Sequence, residues 1–268
     1  MNALSLAFDT QRLAEKYEEL SSDRQFVQGK HLAEELSIAA GEHVLDIGCG
    51  TGSLAEHVAD LVGPAGSVVG IDPLPLRIEI ARRKARPNLS YFVGNAYALD
   101  EFSEENFDAV YLNAVFHWLS EKEEPLQQIR RVLKPGGRLG LTTGSKEHPN
   151  RLQQVRREVL AREPYNVFPE SRSGSPHWVS VPELVWLLDR TGFSIEKVEV
   201  RDNLISHSDA DAAIDFSQAS SFGNFLGHLP DELREEALRE IKQELHAYLT
   251  PDGIRLEGRR IIAVAVRK

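Results

Sequence analysis

The chain has 268 residues and a single cysteine, Cys49. One cysteine excludes an intramolecular disulfide and any cysteine metal cluster. Positive charge is in deficit: 31 Lys and Arg against 41 Asp and Glu leave a formal net charge of −10. Such a chain is repelled by phosphate backbones, so no nucleic-acid partner is expected. The densest basic run, Arg82-Arg83-Lys84 with Arg86, falls on a predicted surface helix and reads as a solvated face. No stretch approaches the roughly 18 consecutive apolar residues of a membrane span. Asp9, Arg12, Glu15 and Lys16 precede any long apolar run, which argues against a signal peptide. These absences lead to the expectation of a cytoplasmic protein whose partner is a small molecule.

What is present is a regular alternation of strand and helix patterns. Residues 1–40 read as helical, with Leu13 and Tyr17, then Leu32 and Leu36, at helical spacing and Gly41 as a stop. Strands are expected at 43–47, 67–71, 89–93, 107–112, 138–143, 194–200 and 260–266. Helices are expected at 53–62, 75–86, 121–133, 182–190, 209–220 and 231–249. This order predicts an α/β fold, a doubly wound and mostly parallel sheet covered on both faces. Residues 144–181 break the rhythm. They are rich in Pro, Ser, Gly, Arg and His and read as a long irregular insertion, the usual form of a functional loop or lid.

The stretch Val44-Leu45-Asp46-Ile47-Gly48-Cys49-Gly50-Thr51-Gly52 is the most informative. It is a buried strand, a turn of small residues and a helix start, which together let backbone N–H groups approach a ligand. A dinucleotide turn wants G-x-G-x-x-G, and here the third glycine is one position early. The G-K-[ST] ending of a phosphate-binding Walker loop is absent. An acid, Asp46, lies two residues before the first glycine.

Residues 44–52 resemble the first motif, hh(D/E)hGxGxG, of class I S-adenosylmethionine-dependent methyltransferases. Further segments match that family at the right intervals: Val68-Val69-Gly70-Ile71-Asp72, Phe92-Val93-Gly94-Asn95-Ala96, Phe107-Asp108-Ala109-Val110, and Arg130 to Gly137. The likeness is firm over residues 40–145 and weaker toward the last two strands. It implies a seven-stranded Rossmann-like sheet, its last strand antiparallel, with a helical lid. It also implies a cap at 1–40, a catalytic domain at 41–268, and insertions at 144–181 and 202–250.

The resemblance further implies that S-adenosylmethionine is the cofactor and S-adenosylhomocysteine the product. Asp46, Gly48, Cys49, Gly50 and Gly52 would surround the methionine portion. Asp72 would accept from both ribose hydroxyls, with Pro73 and Leu74 beside the adenine. Asn95 stands where the family more often has an acid toward the adenine amino group, followed by Ala96. Asn113 would lie near the methionine portion, and Tyr17 and Gln28 would close the site from the cap. His117 is the candidate to orient or deprotonate an acceptor, being a residue that titrates near neutral pH. Trp118, Tyr165, Arg172, His177, Trp178 and Phe222 are candidate acceptor contacts.

Methyl transfer from a sulfonium needs positioning more than catalytic groups, and the chain shows no catalytic triad pattern. Residues 113–118 and 224–233 are similar to carboxyl methyltransferases of the trans-aconitate and juvenile-hormone-acid type. The quinone and sterol C-methyltransferases share the core motifs. O-methylation of a carboxylate or hydroxyl is therefore expected first, with C-methylation of a quinone-like molecule as the alternative. A nicotinamide-dependent oxidoreductase and a silent cofactor-binding protein are the readings from other classes.

Overall fold

The computed structural model describes residues 10–173, 176–221 and 224–268. Thr10 opens α1 (Gln11–Glu35), its hydroxyl accepting from the Leu13 N–H at 3.3 Å and satisfying one of the donors a helix start leaves unpaired. The two helical stretches read from the sequence are one unbroken helix of 25 residues. Leu36 ends it. Gly41, at φ +86°, instead turns the chain into the first strand.

The alternation then unfolds as expected: β1 (His43–Ile47), α2 (Ser53–Val62), β2 (Ser67–Asp72), α3 (Pro75–Arg82), β3 (Leu89–Val93), β4 (Phe107–Asn113), α4 (Glu123–Val132) and β5 (Leu133–Gly144). Pro135-Gly136-Gly137 is not a stop before β5, as the sequence suggests, but an irregularity within it. The register against β4 shifts between Phe107 and Ala109, and regular pairing resumes at Arg138.

The second half corrects the sequence reading more. Residues 144–181 are not irregular: they contain α5 (Arg151–Leu160), the short α6 (Glu170–Ser173) and the start of α7 (Val181–Arg190). Leu152, Val155 and Val159 form the buried stripe of α5, hidden in the sequence by its breaker-rich flanks. The next strand, β6 (Phe193–His207), runs past its expected end at Val200. It pairs antiparallel with β8 (Gly253–Arg267) from Phe193↔Arg267 to His207↔Ile254. Between them lie α8 (Ala210–Ser220), α9 (Asp231–His246) and the two-residue β7 (Leu249–Thr250), which adds an eighth strand to the seven expected.

The sheet order is β3-β2-β1-β4-β5-β8-β6, with β7 on β8. β1 through β5 pair in parallel, and β8 is antiparallel to both neighbours. Chain order reverses between β1 and β4. Ligands of doubly wound sheets sit beyond the carboxyl ends of the strands at such a switch point. Apolar layers cover both faces: Leu45 and Ile47 pack with Leu126 of α4 and Leu184 of α7, while Val44 packs with Leu36, Val58 and Ile78.

A third core lies beyond the sheet. Leu152 and Val159 of α5, Ile214 of α8, Ile241 and Leu245 of α9, and Ile205, Ile254 and Leu256 of the β6–β8 ribbon are buried together. The inserted segments thus carry a hydrophobic core of their own. At the other end, Leu36 lies so close to β5 that a Cβ on Gly140 would stand 2.7 Å from its Cδ1. Leu36→Ala is expected to cost roughly 2–5 kcal/mol, the usual range for emptying a buried leucine site. Urea unfolding checks this, and a loss below 1 kcal/mol would mean that α1 is only loosely docked.

Candidate active site

The β1–α2 turn has Gly48, Gly50 and Gly52 at φ +75°, +57° and +88°, where side chains are disfavoured. Each glycine also admits a close neighbour. A Cβ on Gly48 would stand 2.3 Å from Val115 Cγ2, on Gly50 3.0 Å from the Tyr17 ring, and on Gly52 2.6 Å from the Tyr91 hydroxyl. Tyr91 in turn donates to Gly52 O at 3.0 Å. The N–H groups of Gly48 and Cys49 both donate to Ile71 O, that of Gly52 to Cys49 O, and that of Gly50 to Asp72 Oδ2. These four donors are engaged inside the protein. Lys84 of the basic run is not a solvated charge: its ammonium joins Glu18 of α1 to Thr51 O and the Ser53 hydroxyl at 2.8, 2.9 and 3.0 Å.

Asp72 is buried at the end of β2 and accepts from Gly50 N and Leu74 N at 3.0 Å each. Asp46 is fully buried, and its Oδ2 has no hydrogen-bond partner. Tyr111 is the polar neighbour; its hydroxyl acts on the carboxyl without reaching full hydrogen-bond geometry. Burial pushes the Asp46 carboxyl up from 3.8 to about 8; Tyr111 opposes the rise and the Asp72 charge adds to it. A small cavity of about 40 Å³ between α1 and the turn is lined by Asp46, Gly48, Cys49 and Asn113. Burial also pushes the Cys49 thiol well up, so it is an inert small residue here.

A second cavity, about 1160 Å³, opens over the carboxyl ends of β1, β2, β4 and β5. Asp72, Pro73, Val93, Asn95 and Ala96 line one end. Asn95 Oδ1 accepts from the Tyr97 N–H at 2.9 Å, which fixes the amide orientation and leaves one acceptor position. Tyr17 and Gln28 enter from α1. The Tyr17 hydroxyl donates to Gln25 Oε1, and the Arg77 guanidinium lies 3.6 Å from its ring centre. Gln28 Nε2 reaches Asn203 Oδ1 on β6 at 3.3 Å.

Asn113 sits in the middle. Its Nδ2 donates to Gln25 O of α1 at 2.9 Å, and its Oδ1 accepts from the Thr142 hydroxyl at 2.9 Å. The same hydroxyl accepts from Ala114 N at 2.8 Å. Ala114, at φ +58°, then turns the chain so that His117 and Trp118 face the cavity. His117 Nδ1 is buried without a partner. Burial pushes its imidazole down to about 3, with the Lys122 ammonium as the second cause. Lys122 itself donates to Phe116 O at 2.8 Å and Leu119 O at 2.5 Å, clamping the turn that carries His117. The His177 N–H donates to His117 O at 2.7 Å, and Trp178 packs on Gly144.

The structure thus gathers Asp72, Pro73, Asn95, Ala96, Asn113, Tyr17, Gln28, His117, Trp118, His177 and Trp178 around one cavity, with Gly48 at its edge. Leu74 and Gly52 stand behind the wall. Tyr165 is a correction: its ring is fully buried in the third core, and its hydroxyl donates to Glu240 at 2.7 Å. Arg172 is a second, because it is exposed on α6 and does not line the cavity. Phe222 lies outside the described residues. Sequence reasoning missed Arg77, Arg156, Thr142, Asn203, His207, His228 and Arg260, all of which line the cavity. For Arg260 a signal existed: it shares strand parity with the buried Ile262 and Val264.

Comparisons with known proteins agree with this geometry. A family model described as a methyltransferase domain matches residues 44–137. The demethylmenaquinone methyltransferase of Tropheryma whipplei is 31% identical over 202 residues, covering 68% of this chain and 80% of that protein. The O-methyltransferase resE of Aspergillus sclerotiorum is 33% identical over 185 residues, covering 65% of this chain and 64% of that protein. In fold, the chain resembles Haemonchus contortus phosphoethanolamine N-methyltransferase 2, solved in complex with S-adenosylmethionine. The TM-score is 0.60 at 19% identity, over 96% of this chain and 57% of the other. The nicotinamide reading of the glycine turn gives way to these matches. Among the described residues no helix is long and apolar enough to cross a membrane. By its motifs, its sheet order and its likeness to these enzymes, this chain belongs to the class I S-adenosylmethionine-dependent methyltransferases.

Proposed function

We propose that this chain methylates an oxygen of a small-molecule acceptor held between His117 and the helices inserted after β5. One observation carries the reading: a single cavity runs from Asp72 and Asn95 past Asn113 to His117. Bound in it, S-adenosylmethionine supplies an activated methyl group. The chain's own residues suit that cofactor. Asp46 Oδ2, buried and unpartnered beside the small cavity, is a ready acceptor for an ammonium. The Asp72 carboxylate, an acceptor-only group at the end of β2, suits the ribose hydroxyls, and the acceptor position left on Asn95 suits an adenine amino group. Residues 10–40 act as the cap, through Tyr17, Gln28 and the Asn113–Gln25 bond. Segments 144–181 and 202–250 form the acceptor wall.

His117 acts as an orienting group. In the tautomer that carries its proton on Nε2, the unpartnered Nδ1 accepts from an acceptor hydroxyl. An imidazole held near 3 stays neutral at physiological pH but is too weak a base to keep that proton. A second reading, C-methylation of a quinol-like ring, draws on the demethylmenaquinone methyltransferase relative and on the aromatic walls Trp118, Trp178, Phe216 and Phe225. Incubation with S-adenosylmethionine and a panel of hydroxy acids, phenols and quinols decides between them. Mass spectrometry finds the product, and fragmentation shows whether oxygen or carbon carries the methyl group.

Three outcomes are expected. Asp72→Ala weakens S-adenosylhomocysteine binding by about 1.5–3 kcal/mol, the worth of charge-assisted hydrogen bonds; unchanged affinity in calorimetry would remove Asp72 from the site. His117→Ala lowers turnover more than cofactor affinity, and the wild-type rate shows no ionisation between pH 5 and 8 that His117→Ala abolishes. The third concerns Asp46. Its carboxyl ionises at 3.8 when exposed but near 8 in the fold. The folded state therefore holds the extra proton between those values, and the ligand-free protein loses stability as pH rises through them. An ammonium placed beside Asp46 reverses the preference. Binding of S-adenosylhomocysteine at pH 7 then releases a proton, seen as a buffer-dependent enthalpy that Asp46→Asn removes.

A further inference from the structure

The acids and bases that line the large cavity are unevenly placed. Asp72, Glu121 and Glu124 lie toward the end where β2 and the turn after β4 meet, together with Arg77, whose guanidinium is held by the Tyr17 ring and by Ala219 O. Arg156 of α5 and Arg260 of β8 lie toward the inserted helices, where Glu170, exposed on α6, is the carboxylate among the described lining residues. Arg156 is buried, and its guanidinium lies 5.1 Å from the Phe225 ring centre. The Arg260 guanidinium forms no hydrogen bond or ion pair with any described residue, and its Nε and Nη1 are buried without partners. Directly across the strand pair stands Arg201, whose own guanidinium is held by Glu199 and Glu35. The nearby carboxylates are thus already engaged, and a like charge faces Arg260.

A half-buried guanidinium without a partner carries a desolvation cost, and a planar anion that fits its fork offsets it. We infer that the methyl acceptor carries a carboxylate, or an anion of similar shape, that binds Arg260 and Arg156 and is distinct from the atom that is methylated. This rests on the proposed methyl-transfer reading. The two groups must differ because a carboxylate bound by two guanidiniums has its lone pairs engaged and is a poor nucleophile. The placement agrees. Arg260 pairs with Gly144, two residues beyond the Thr142 that holds Asn113, a step of about 7 Å along the strand. The anion therefore sits beside the centre of the cavity, with His117 and Trp118 left for the reacting end. Burial and the facing Arg201 push the Arg260 pKa down, and the Glu199 carboxylate only partly opposes them.

The test uses the full chain saturated with S-adenosylhomocysteine. Benzoate and a set of hydroxybenzoates are compared with their amides and methyl esters by calorimetry at constant ionic strength. The acids should bind at least about tenfold more tightly than their neutral counterparts. Arg260→Gln should remove that preference while leaving the affinity for S-adenosylhomocysteine unchanged, and Arg260→Lys should restore part of it. Arg156→Lys, which keeps the buried charge, should weaken the acids without affecting the amides. Amides or esters that bind as well as the acids would overturn the inference. So would an acid preference that survives Arg260→Gln, or the failure of every acid to bind at millimolar concentration. Failure to bind S-adenosylhomocysteine would instead overturn the methyl-transfer reading on which the inference stands.

Discussion

Val115 and Tyr91 close on the β1–α2 turn to distances that a Cβ atom would forbid, and Tyr17 to one that a Cβ atom would crowd. The rest of the site depends on that close approach. Val115 against Gly48 sets where the chain leaves β4, and therefore where His117 and Trp118 face. Tyr17 against Gly50 sets how α1 lies over the turn. Tyr91 against Gly52 ties β3 to the start of α2 and leaves the adjoining edge of β3, with Val93 half exposed, facing the cavity. In this fold the glycines make room first for the protein's own side chains.

Asn113 then joins the layers. One amide holds Gln25 of the cap and Thr142 of β5, so the position of α1 is coupled to the strand end that borders the acceptor. A partly buried polar group with both ends satisfied favours one arrangement, because any other leaves a donor or an acceptor unpaired. The cavity below is electrically divided. Asp72 stands on the glycine-turn side, with Asp46 buried behind it and protonated through much of the neutral range, while the unpaired guanidinium of Arg260 stands near the inserted helices. His117 is neutral between them. Burial suppresses charge at Asp46 and His117 until a ligand makes charge at the carboxylate favourable.

The glycine turn, the acids at 46 and 72, Asn95 and the alternation through residue 143 were legible because each is a local pattern: a period, a breaker, a spacing. The cap was legible as helix but not as one continuous helix. The inserted half was much less so. α5 lies between Pro- and Ser-rich stretches that mask its apolar stripe, and the outer half of β6 has weak alternation, its strand form coming from the pairing of Arg201 to His207 with β8. Tyr165 and Arg172 show the same limit. An aromatic and an arginine in a loop-like stretch suggest ligand contacts, yet packing against α9 buried the first and left the second outside.

The sequence by itself determined the family, the sheet that carries the cofactor motifs, and the residues at the strand ends, because these follow from short-range backbone chemistry. Tertiary structure alone decided which charges lost their solvent. Asp46 rises and His117 falls only because distant segments close over them. Arg260 becomes an anion-seeking group only because β8 places it across from Arg201 and at the wall of the cavity. Burial and cross-strand pairing are long-range facts, so no local pattern carries them.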